Sequence, residues 1–173
     1  MRNRLSVHLT LEGDKLPTEF RLFRFGKNET ENGTFIFDDA AAKSVMAARK
    51  KWGVSVMLDL EHQSLDCEPG VPDPTARDAR GWGNLELRKD GLYLVNVTWT
   101  PDGARRLREK TQRYVSPAFT TDDDGRILTL VNVALTAIPA THGAQPLVAA
   151  SARRKQHDGL EDFEALTLTR KAR

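Results

Sequence analysis

Two residues of this chain combine side-chain type and setting in a way suited to nucleophilic chemistry, His62 and Ser116. His62 closes an apolar face made by Val54, Val56, Leu58 and Leu60 and stands where the chain enters an irregular stretch, so its ring can meet both core and solvent. Ser116 sits in Arg113-Tyr114-Val115-Ser116-Pro117-Ala118-Phe119, early in a strand pattern. Pro117 cannot donate to a strand ladder, which implies an edge or a bulge, places where a hydroxyl is presented. A serine hydroxyl is a weak nucleophile until an adjacent base takes its proton, and a third group must hold that base in the right tautomer. Each residue alone also has a plainer reading: a histidine at a core edge bonded to backbone, and a serine that forms a turn before proline. His8 alternates with Val7 and Leu9 and reads as a solvent-facing strand residue, while His142 falls in a Pro-Ala-Thr-His-Gly turn. A metal hydrolase lacks any His-Glu-x-x-His or paired-histidine spacing, and the single Cys67 supports neither an internal disulfide nor a cysteine zinc cage.

Strands surround both residues. Segments 4–10 and 19–25 alternate apolar with polar side chains, and Thr34 to Phe37 reads as another short strand. Asp38 caps a helix whose apolar face is Ala41, Val45, Ala48 and Trp52, and Gly53 stops it. Val54 to His62 reads as one extended strand, which turns Asp59 and Glu61 away from the His62 ring. Residues 63–80 hold Pro69, Pro72, Pro74 and Gly70 without periodicity and read as a long surface loop, whose acids Asp66, Glu68, Asp73 and Asp78 stay open as partners of the histidine. Two strand patterns then meet at Asp90-Gly91, a strong hairpin signal. Thr100-Pro101 opens a basic helix through Lys110. Arg113 to Thr120 and Arg126 to Ile138 form a second hairpin around Asp122-Asp123-Asp124-Gly125. The fold class is therefore α+β, with an antiparallel, barrel-like sheet and a few short flanking helices.

Composition bounds the rest. A chain of 173 residues with 39% apolar content builds one domain, read as 1–147, followed by a flexible or weakly helical extension over 148–173. Lys and Arg total 26 against 24 acids, so electrostatics gives no case for nucleic acid. No segment approaches the roughly 20 apolar residues of a bilayer span, and no secretion signal opens the chain, so a soluble protein in an intracellular, reducing setting is expected.

A set of blocks occurs in order: Leu58-Asp59-Leu60-Glu61-His62, Ala79-Arg80-Gly81-Trp82, Asp90-Gly91-Leu92-Tyr93, Trp99-Thr100-Pro101, the Ser116 block, and Ala134-Leu135-Thr136-Ala137-Ile138-Pro139-Ala140. Over about residues 18–145 this succession resembles the Mu-like prophage I proteins, a protease and scaffold component of phage head assembly. Those proteins are similar in turn to the tailed-phage prohead proteases and the herpesvirus assemblins, serine peptidases on a β-barrel. The resemblance implies His62 as general base and Ser116 as nucleophile. Where relatives place a histidine or glutamate third, the matching stretch Asn132-Val133-Ala134-Leu135 has Asn132. Its carbonyl can orient an imidazole but cannot offset imidazolium charge, so a slow enzyme, or a dyad oriented from elsewhere, is expected, and Asn132→Asp or Asn132→Glu is expected to raise the activity or the pKa of His62 if residue 132 lies behind the ring.

The arginine that assemblins use for the oxyanion is replaced here by Ala140 and Thr141, which leaves a backbone N–H between Ala140 and Gly143 as donor. Cleavage between Ala150 and Ser151 would release the charged tail, read as the remnant of a scaffold segment. The same resemblance implies no cofactor, a homo-oligomer with dimeric assemblins as the analogy, and capsid scaffold and major head protein as partners. Membrane and nucleic acid are not among them, and the place of action is the assembling prohead in the bacterial host cytoplasm. The competing expectation is a scaffold or internal head-assembly protein that keeps the fold without the activity.

Overall fold

A computed structural model describes residues 3–4, 15–65, 75, 77–138 and 140. The strands are β1 (Asn3–Arg4), β2 (Phe20–Arg24), β3 (Gly26–Thr30), β4 (Gly33–Phe37), β5 (Val56–Leu60), β6 (Gly81–Arg88), β7 (Gly91–Trp99), β8 (Tyr114–Thr121) and β9 (Ile127–Thr136). Seven of them form a strongly curved, nearly closed sheet in the order β1-β8-β9-β5-β6-β7-β2, and β3 and β4 pair as a separate hairpin. The class is the expected α+β barrel-like one, with a single departure from antiparallel pairing. β5 and β9 run parallel, with Leu58 opposite Val133, Asp59 opposite Ala134 and Leu60 opposite Leu135. No hairpin joins these two strands, so nothing in the local sequence forces them antiparallel.

Alternation sorts the side chains of the central strands into two faces. Val56, Leu58, Val115, Phe119, Val133 and Leu135 enter the core with Phe23, Phe35 and Phe37. Phe119 lies edge-on to Phe23 and Phe35 at centroid separations of 5.2 and 5.1 Å, an arrangement worth something beyond area burial alone. The opposite face of β8, β9 and β5 carries Ser116, Ala118, Asn132, Ala134 and Asp59, because laterally paired residues share a face.

Helix α1 (Asp39–Trp52) starts on the Asp38 carboxylate, which accepts from Ala41 N–H at 2.9 Å, and ends at Gly53 in the left-handed region. It lies against β9 and buries Ala41, Ala42 and Val45. Trp52, expected on that buried face, is 63% exposed instead. It closes the last turn at the end of the helix, where the Arg49 guanidinium stacks over the ring at 5.2 Å.

Helix α2 (Pro101–Arg108) has Thr100 as N-cap and proline at its first position, as the sequence implies, but stops before Lys110, which turns left-handed at φ 61°. Its first turn packs on the exit of the 63–80 segment. The Arg80 carbonyl accepts from Thr100 N–H and hydroxyl, and a Cβ on Gly103 would stand 2.0 Å from that same oxygen. The Arg80 side chain, itself buried, donates to the carbonyls of Asp78 and Thr75. Its Nε lies 2.8 Å from the Asp102 carboxylate, an ion pair whose angle is not that of a hydrogen bond. Arg106, with Arg105 and Arg80, holds the Asp102 carboxyl below the ordinary carboxylate range.

Candidate active site

The expected strand from Val54 to His62 ends early, at Leu60. Glu61 and His62 take φ of 50° and 60°, a conformation that ordinary side chains rarely adopt twice running, and the chain doubles back. The turn is held by Gln63 N–H on the Leu60 carbonyl, Leu65 N–H on the His62 carbonyl and Glu61 N–H on the Leu135 carbonyl. The Glu61 carboxylate accepts from Thr136 hydroxyl at 2.6 Å and Ala137 N–H at 2.7 Å, which ties the turn to the end of β9. Glu61 is therefore directed to β9. His62 leaves the Leu58 and Leu60 face to which alternation assigned it and is buried on the Asp59 side, 2% exposed.

There the His62 ring meets Asn132, with Nδ1 2.8 Å from Oδ1. The proton on this contact follows from the other end of the amide. Asn132 Nδ2 donates to Asp59 Oδ2 at 2.9 Å and to Ser64 Oγ at 2.8 Å. Asp59 Oδ2 also accepts from Ser64 N–H at 3.0 Å and from the Ser64 hydroxyl at 2.6 Å. A carboxylate that receives three donors leaves Asn132 only its NH2 to offer, so Oδ1 faces the ring and accepts from Nδ1–H. A neutral His62 then has its lone pair on Nε2, the form a general base requires.

Ser116 pairs with Ala134 on β9, and Ala134 pairs with Asp59 on β5, so these three residues form one row across the sheet. Ser116 and His62 were expected on neighbouring strands; β9 runs between β8 and β5 instead. The intervening strand contributes to the site, because Asn132 is both the partner of the His62 ring and the diagonal neighbour of Ser116, a separation of about 7–8 Å between backbones. Ala134 is the side chain in the row between them. Ser116 is 3% exposed, and its Oγ has no hydrogen-bond partner among the described residues. A buried hydroxyl in that condition costs stability, and such groups concentrate where chemistry needs them. Pro117 stands next to a register shift between Ala118 and Phe119, the bulge its ring implied.

Of the remaining sequence-derived candidates, the Ala140 carbonyl accepts from Glu31 N–H at 2.9 Å, which docks the chain after β9 on the β3–β4 turn. Asp78 sits at the Arg80 anchor, where its carbonyl accepts from the guanidinium. Thr141, Gly143, Ala150, Ser151, His8, His142, Cys67, Asp66, Glu68 and Asp73 lie outside the described residues. Among the described residues no group of His, Cys, Asp and Glu is placed to hold a metal ion, and no helix is long and apolar enough to cross a membrane. Sequence reasoning missed Asp59 and Ser64. An acid alternating against core leucines reads as a solvent position, and no signal in the sequence spoke against it.

The geometry attaches a stability cost to Asn132→Asp. An aspartate there would set two buried carboxylates against each other, a pair that must hold a proton to coexist. The variant is expected to be about 2–3 kcal/mol less stable than wild type at neutral pH. Because the shared proton is bound in the folded state and lost as pH rises, the deficit should shrink on acidification. Urea midpoints of both proteins between pH 4.5 and 8 check this, and equal stability at pH 7 would show that Asp59 does not face residue 132.

A family model described as Mu-like prophage I protein, N-terminal domain, matches residues 20–148, a span that contains His62, Ser116 and Asn132. Comparison with curated proteins and with solved structures finds no match.

Proposed function

Since the chain belongs to the Mu-like prophage I protein family, with the phage-related role this suggests, we propose that it is a serine endopeptidase of prohead maturation that cleaves scaffold and itself. The observation that carries the reading is the 2.8 Å contact of His62 Nδ1 with the Asn132 carbonyl, on the sheet face that also bears Ser116. In this mechanism His62 Nε2 takes the Ser116 proton as Oγ attacks the scissile carbonyl. It then returns the proton to the leaving amine and repeats the cycle with water on the acyl-enzyme. Asn132 holds the ring throughout. Oxyanion donors fall to the backbone around Ala140 and Thr141.

The substrate is an extended peptide, and Ala150-Ser151 supplies a cleavage point within the chain itself. Capsid scaffold and major head protein are the partners, the protein is a homo-oligomer, and the setting is the prohead assembling in the bacterial host cytoplasm. A peptidyl phosphonate that reports on activated serines tests the reading. Wild type should gain one adduct by intact mass and Ser116→Ala none, and wild type aged at high concentration should yield a product ending at Ala150. No adduct and no processing in wild type would favour the second reading, a scaffold or internal head protein with the fold alone. The near-complete burial of Ser116 and the asparagine at position 132 speak for that alternative.

A further inference from the structure

Asp59 has no part in the machinery the family resemblance supplies, yet it is the most enclosed charged group near the site. It is 0% exposed, it enters no salt bridge among the described residues, and its Oδ1 has no hydrogen-bond partner there. An isolated carboxylate in such a place is costly, and donors from neutral groups offset only part of that cost. Three donors converge on its other oxygen, Ser64 N–H, Ser64 hydroxyl and Asn132 Nδ2. We propose that Asp59 is a positioning residue that acts through the Asn132 amide, fixing which His62 nitrogen carries the proton and lending its charge to the imidazolium formed during catalysis. An asparagine in the third position then works because a carboxylate stands directly behind it.

The reasoning is one of donor and acceptor bookkeeping. An asparagine amide is nearly symmetric in shape, and a ring nitrogen can donate to its oxygen or accept from its NH2 equally well. Asp59 selects, because an acceptor-only group can be met only by the NH2. The ring is thereby left with hydrogen on Nδ1 and a basic Nε2. Among the described residues, Glu61 is committed to Thr136 and Ala137, Tyr114 stands on β8, Arg4 of β1 pairs with Ala118, and β9 contributes no ionisable group.

This inference rests on His62 being the base, and its test reads the ring itself, so its failure is separable from failure of the peptidase reading. Asp59→Asn can still offer an amide oxygen to Ser64 and Asn132, but it removes the charge and exchanges one acceptor oxygen for an NH2. Removing that charge in Asp59→Asn should lower the His62 titration point by about one to two pH units. The acid limb of kcat/KM should move down with it, and the plateau of kcat should fall about 10-fold or more with KM little changed. Ser64→Ala, which loosens the same turn without touching the charge, should leave the titration in place. Should Asp59→Asn fail to fold, 15N spectra of wild-type His62 still decide: hydrogen on Nδ1 as the dominant neutral tautomer is required, and hydrogen on Nε2 overturns the proposal. An unmoved His62 titration in folded Asp59→Asn overturns it too. A shifted titration without a phosphonate adduct would reject the peptidase reading and leave the Asp59 assignment standing.

Discussion

Replacing Ser116 or His62 by alanine is each expected to lower peptidase turnover at least about 10³-fold, and the double variant should be no worse than either single one. In the proposed mechanism nucleophile and base serve one step, so losing either would forfeit the whole gain that their cooperation supplies. Stability should move in opposite directions in the two variants. Ser116→Ala deletes a buried hydroxyl with no hydrogen-bond partner, and exchange of such a group for a methyl is neutral or stabilising. His62→Ala removes a buried ring and strands the Asn132 carbonyl, at about 2–3 kcal/mol. Single-turnover cleavage of a fluorogenic peptide, with urea unfolding of the same samples, measures both. Additive rate losses in the double variant would show that the two residues do not share a step.

The second large effect is structural. Gly103→Ala would ordinarily help a helix by about 0.5–1 kcal/mol. Here the added Cβ would stand 2.0 Å from the Arg80 carbonyl oxygen, well inside contact distance, and the obstacle is backbone. That oxygen also accepts from the Thr100 cap, so it cannot withdraw without breaking the start of α2. The clash wins, and a net loss of about 2–3 kcal/mol is expected, the upper range for overpacking. Gly91→Ala, facing the Phe23 carbonyl at 2.0 Å with φ of +151°, should behave alike for a hairpin. Thermal and urea midpoints check both, and a Gly103→Ala protein as stable as wild type would contradict the packing described.

Much of the frame was legible in the sequence because local chemistry decided it. Asp38, Gly53, the Asp90-Gly91 turn and the Thr100-Pro101 start each act within a few residues, and each appears where its chemistry demands. The hairpin β3–β4 was half missed, since in Gly26 to Thr30 the positions that packing covers hold the polar Asn28 and Thr30. At the site, residue types pointed to His62, Ser116 and Asn132, but the face of His62 did not follow from alternation. Two left-handed residues in succession break the period of two, and neither Glu61 nor His62 advertises that conformation as glycine would. Asp59 stayed hidden for a related reason: its partner on β9 is brought close by tertiary pairing alone.

That parallel pairing of β5 with β9 also sets the order of events when the chain folds. The His62–Asn132 contact joins residues 70 apart in sequence, whereas the hairpins close over short loops. Loop-closure entropy makes such a distant contact late to form, after the local hairpins that flank it. Until β9 docks, Ser116 exists without an oriented base. On the proposed peptidase reading, a partly folded copy would carry Ser116 without its oriented base, and activity would wait until β9 docks against β5.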